Sequence, residues 1–83
     1  MKRSKTDMLV WHCSATEEGV EVSRDTITKW HKARGMRDIG YNLIVHLDGS
    51  VEIGRGINEQ GAHAKGYNSH SIGACYIGGL RNG

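Results

Sequence analysis

The chain has 83 residues, room for one small domain that buries only about 60% of the surface its unfolded form exposes. Its 11 Lys and Arg against 9 Asp and Glu form no sustained basic stripe, which argues against nucleic acid as the main partner. The two cysteines, Cys13 and Cys75, lie outside any Cys-x-x-Cys pair and argue against a disulfide scaffold or zinc ribbon, and no segment is long enough to insert across a membrane.

Glycine is over-used, at 12 residues against an average of about 7%. All but Gly19 lie at Gly35 or beyond, which places the tight turns in the second half. With no proline or phenylalanine, the core rests on Ile, Val and Leu with Trp11, Trp30 and a few tyrosines. Met1-Lys2-Arg3-Ser4-Lys5 has the charge of an export signal. The apolar run after it, Met8 to Trp11, falls short of the roughly 7 to 15 residues such a signal requires. With no signal peptide, the chain is expected to stay in the cytoplasm until something else releases it.

Met8-Leu9-Val10-Trp11 predicts a buried strand ending at His12, with Cys13 facing away from His12 because strand side chains alternate. Ser23 is suited to cap a helix over Ser23 to Arg34, with Asp25 in the first turn and Val22 placed against Ile27. Ile27, Trp30, His31 and Arg34 follow helical spacing, and Gly35 closes the segment. His31 reads as a half-buried face residue and not a ligand.

Leu43 to Leu47, Asp48-Gly49 and Ser50 to Ile53 predict a β-hairpin, since Asp-Gly tolerates the positive φ of tight turns. Residues Arg55 to Asn68 form a glycine-punctuated loop of the kind that often carries function. Ser71 to Ile77 predicts a further buried strand ended by Gly78-Gly79. His46 and His70 read as exposed and without a role, and Cys75 as a small core residue. His12 read alone is a histidine near a core edge.

Three segments change that reading in combination: Trp11-His12-Cys13-Ser14-Ala15-Thr16, Gly40-Tyr41-Asn42, and Gly61-Ala62-His63-Ala64-Lys65-Gly66-Tyr67-Asn68 running into Ser71-Ile72-Gly73. Together they resemble the zinc-dependent N-acetylmuramoyl-L-alanine amidases of the phage T7 lysozyme type, which share a fold with the peptidoglycan recognition proteins. The resemblance covers Leu9 to Gly79. It implies residues 1–83 as a single domain of α/β class, the N-terminal portion of a central mixed β-sheet flanked by helices and C-terminally incomplete.

The resemblance further implies that His12 is a zinc ligand, the other two ligands having no counterpart in this chain. It makes Tyr41 a catalytic donor to the attacking water or the developing oxyanion, and His63 and Asn68 residues that line the groove for the muramyl sugar and stem peptide. Tyr41 also reads as a packing residue at a strand start, His63 as a loop cap and Asn68 as a left-handed turn residue. The implied activity is cleavage of the amide between N-acetylmuramic acid and L-alanine, with bacterial peptidoglycan as partner, in an endolysin or prophage lysozyme. The rivals are a non-catalytic peptidoglycan-binding module and a truncated product without function. Because Ile72 to Ile77 is apolar on successive positions, both of its faces need cover, and the one helix covers one face. The other is expected to meet further residues, a partner chain or a second copy.

Overall fold

The computed structural model describes residues 2–81. Strands β1 (Met8–Cys13), β3 (Leu43–Val45), β4 (Val51–Ile53) and β5 (Ser71–Tyr76) form one mixed sheet in the order β1-β5-β3-β4. Its β1–β5 and β3–β5 pairs are parallel and its β3–β4 pair antiparallel. β5 is the central strand, as its continuous apolar run predicts. A second, two-stranded parallel sheet joins β2 (Thr16–Glu17) to β6 (Gly79–Leu80).

The helix α1 spans Arg24–Ala33, and the Ser23 side chain caps it by accepting from the Thr26 N–H. Beyond its last turn Gly35 takes φ +94°, the left-handed conformation that ends helices. Val22 packs against the core formed by Ile27, Ile39, Ile44 and Ile77, as a residue just before a cap should. The hairpin departs from a two-residue turn. Gly49 N–H bonds to the His46 carbonyl, His46 N–H bonds to the Ser50 carbonyl, and Gly49 alone of the turn has positive φ. This is a longer loop with glycine at the left-handed position.

Register decides which faces are covered. His12, Cys75 and Ile44 are partners across β1, β5 and β3, so they share a face, and Ile44 packs under α1. The opposite face carries Leu9, Trp11, Val51 and Ile53, exposed at 51%, 60%, 58% and 52%. The expectation of one bare face therefore describes the folded residues. The expectation of a buried first strand is corrected: β1 is an edge strand, and its alternate apolar residues point to the bare face.

Residues at the start of the chain strap the long loop. Arg3 and Ser4 donate backbone N–H groups to the Asn58 and Ser69 carbonyls, and Asp7 to that of His70. The strap holds the loop against β5, where it delivers His63 to the sheet.

Candidate functional site

His12, near the carboxyl end of β1, and Tyr41, just before β3, meet on the α1 side of the sheet with ring centroids 5.3 Å apart. His63, 51 residues further along than His12, brings its Nδ1 to 3.0 Å from His12 Nε2. The ring of His63 lies directly over Gly73 of β5, in space that a Cβ at that position would occupy. His12, Tyr41 and His63 thus converge.

The hydrogen bonds fix which nitrogens carry protons. Ser71 Oγ donates its one proton to the Tyr67 carbonyl at 2.7 Å, so toward His63 Nε2, 3.3 Å away, it accepts. His63 then has Nε2–H and a lone pair on Nδ1, and His12 Nε2–H donates to that lone pair. In the neutral ring this leaves a lone pair on His12 Nδ1, which has no hydrogen-bond partner among the described residues.

Electrostatics favours the same neutral forms. Burial, with the positive charges of His12, Arg3 and Arg55, lowers the His63 pKa to about 4. Burial also lowers that of His12. Burial, and Cys75 beside the phenol, raise the Tyr41 pKa to about 12, and burial raises the Cys75 thiol to about 11. Tyr41 therefore stays a neutral O–H donor, suited to a developing negative charge, and Cys75 stays a buried thiol.

An NMR titration of the histidine ring carbons is expected to show His63 uncharged down to about pH 4, whereas a free imidazole titrates near 6.5. A group lowered in this way binds fewer protons folded than unfolded. Its linked stability is complete above about pH 6.5 and declines as pH falls toward the folded value. A His63 midpoint near 6.5 would show that the ring does not sit where the hydrogen bonds place it.

Asn68 has a different position from the other candidates. Its Oδ1 accepts from the His63 and Ala64 N–H groups at 2.9 and 3.0 Å, so its carbonyl end shapes the loop that holds His63. The left-handed turn does not apply, because Asn68 opens a short 3₁₀ turn, Asn68–His70, and has no positive φ.

Sequence reasoning passed over several supports. Asn42, fully buried, donates to the Gly56 and Glu59 carbonyls and accepts from Gly73 N–H. His31 is buried, not half-buried, and its Nδ1 accepts from Gly40 N–H at 2.7 Å; its ring contacts Tyr41 at 5.1 Å. Burial, then the charges of Arg34 and Arg55, lower its pKa, consistent with an accepting nitrogen. A cavity of about 80 Å³ beside Tyr41 is lined by Ser14, Ile27, Trp30, His31 and Arg34. Gly40 was the available signal for this side of the site, since a Cβ there would run into the Ala62 carbonyl.

A metal-bound imidazole usually donates its second ring N–H to a fixed acceptor, and His12 does so toward His63. His12 thus fits the part of a single ligand. The described residues contain no group of three His, Cys, Asp or Glu side chains placed to hold a metal ion, so they do not complete a zinc site, which needs three protein ligands. Cys75 does not fill the gap, being wholly buried.

No protein-family model matches the chain. It is 47% identical over 79 residues to the endolysin of Escherichia phage T7, an alignment covering 95% of this chain and 52% of that protein. Among solved structures it is similar to the endolysin N-acetylmuramoyl-L-alanine amidase LysCS of Clostridium intestinale. There the identity is 31% and the TM-score 0.81, over 89% of this chain and 47% of that one. It is also similar to a chain in the complex of tracheal cytotoxin with the ectodomains of the peptidoglycan recognition proteins LCa and LCx. The values are 35% identity and TM-score 0.84, over 96% and 52% of the two chains. The chain spans about half the length of these relatives.

Proposed function

We propose, from the premise that this chain belongs to the family of T7-lysozyme-type amidases and peptidoglycan recognition proteins, that it serves peptidoglycan hydrolysis. The bond cleaved is the amide joining N-acetylmuramic acid to L-alanine. The observation that carries this reading is the convergence of His12, His63 and Tyr41 on one side of the sheet. In it, His12 contributes one zinc ligand through Nδ1, and His63 is a positioning residue that holds the His12 ring and its tautomer. Tyr41 donates its phenol hydrogen to the oxygen on which negative charge grows as the amide carbon becomes tetrahedral. Zinc, once its ligand set is complete, would supply Lewis acidity. The steps assigned to the described residues are orientation and proton donation. Asn68 shapes the loop that presents His63 to the sugar and stem peptide.

The absence among the described residues of a helix long and apolar enough to cross a membrane is compatible with an endolysin or prophage product held in the cytoplasm until the wall becomes accessible. A second reading is a module that binds peptidoglycan without cutting it. It draws support from the likeness to recognition proteins.

Purified sacculi incubated with the protein and zinc test both readings. Where the zinc ligand set is complete, amide hydrolysis should release peptides with new L-alanine amino termini, and His12→Ala should abolish that release. Retention on sacculi without new amino termini would establish the binding module. New reducing sugar ends, or neither retention nor release, would overturn the proposal.

A further inference from the structure

His46 was expected to be an exposed histidine without a role, yet only 14% of its side chain is accessible and both ring nitrogens face carboxylates. Nδ1 lies 2.7 Å from Glu21 Oε1, in the segment between β2 and α1, and Nε2 lies 2.8 Å from Glu52 Oε1 on β4. A neutral imidazole has one N–H, so one of its nitrogens would direct a lone pair at a carboxylate oxygen. Two such contacts are satisfied together only by the doubly protonated ring.

We infer that His46 is a charge-dependent latch, whose imidazolium ties the segment ahead of α1 to the β3–β4 hairpin and whose loss of a proton releases one side. What the latch holds is the start of the helix that forms a wall of the Tyr41 cavity. Glu21 anchors the same segment through Oε2, which accepts from Leu47 N–H, and through Oε1, which accepts from Val22 N–H. Arg24, the first residue of α1, provides a neighbouring tie that does not titrate in this range, donating to the Ile53 and Gly54 carbonyls.

Glu21, Arg24, His46 and Glu52 line a surface pocket whose other charged groups are Asp25 and Asp48. Asp48 adds negative charge facing His46 and accepts from Ser50 N–H. The hydrogen bonds to Glu21 and Glu52 raise the His46 pKa, and that to His46 lowers the Glu21 pKa. For a raised histidine the linked stability is complete below about pH 6.5 and is lost as pH rises through the folded value. For a lowered glutamate it is complete above about pH 4.5 and is lost as pH falls through the folded value. The latch is therefore firmest in mildly acidic solution. This pH response runs opposite to that of His63, so residue-specific readouts are needed.

The test is an NMR titration of the His46 ring in the full chain from pH 5 to 9, with amide hydrogen-exchange protection measured at Leu47. His46 is expected to titrate above about 6.5, and Glu21→Gln and Glu52→Gln each to lower its midpoint. The Leu47 protection factor should fall roughly three- to tenfold across that midpoint, as expected for weakening a partly exposed charge-assisted hydrogen bond, and should show no such step in His46→Gln. A wild-type midpoint at or below about 6.5, or Leu47 protection that ignores the titration, would overturn the latch. The wild-type titration decides even where a variant fails to fold.

Discussion

Asn42→Leu is expected to cost about 2–3 kcal/mol, because it leaves the buried Gly73 N–H without its acceptor at about 1–3 kcal/mol and removes the bonds to the part-buried Gly56 and Glu59 carbonyls, the second of which keeps the Arg3 guanidinium as a donor. Asn42 is fully buried, and its amide donates to the Glu59 and Gly56 carbonyls at 2.9 and 3.1 Å while its Oδ1 accepts from Gly73 N–H at 3.0 Å. One side chain thus joins the central strand to the loop that carries His63. Leucine has the volume but none of these bonds. A chain of this length has a total stability of about 4–12 kcal/mol, so the variant should lose a sizeable fraction of it. Urea unfolding followed by circular dichroism measures the loss. A change under about 1 kcal/mol would show that solvent or local adjustment satisfies these groups and that Asn42 is not the joint.

The second large effect is expected at Gly73→Ala, and it falls on the site more than on the fold. A methyl group there enters the ring of His63. The backbone cannot yield easily, since β5 is paired on both sides and Gly73 exchanges hydrogen bonds with Asn42 through both its N–H and its carbonyl. The ring therefore leaves, and with it go the bonds to His12 and Ser71. His63 should then titrate near the ordinary 6.5 instead of about 4. Under the proposed role of His12 as a zinc ligand, amide hydrolysis should drop by about 10- to 100-fold, the usual effect of losing a group that orients such a ligand. The sheet signal in circular dichroism should persist. An unchanged His63 titration in this variant would remove the proposed packing of the ring on Gly73, whatever the activity.

The bare face of the sheet sets the background for both experiments. Leu9, Trp11, Val51 and Ile53 stand exposed on it, whereas the site lies on the other side, against α1. Substitutions at Asn42 and Gly73 therefore report on the covered half of the sheet.

The elements that depend on neighbours in sequence were readable from the residues alone. Ser23, Asp25, the Ile27-Trp30-His31-Arg34 spacing and Gly35 specify α1 because capping and helical periodicity act within a few residues. Asp48-Gly49 between two apolar runs specifies the hairpin for the same reason, and the unbroken run after Ser71 marks an interior strand, paired along both edges. The combined motifs around His12, Tyr41 and His63 identified the residues that meet. Their meeting was decided by tertiary structure: the parallel pairing of β1 with β5 puts His12 beside Cys75 and one strand away from Ile44, and a parallel register leaves no local signature because its partners are joined by long crossovers. The same distance hid the edge position of β1, the Asn42 joint and the carboxylates on either side of His46. It also hid the inward turn of the Asn68 carbonyl, since a polar side chain on a loop is equally suited to a ligand or to nearby backbone until the fold brings one of them within hydrogen-bond reach.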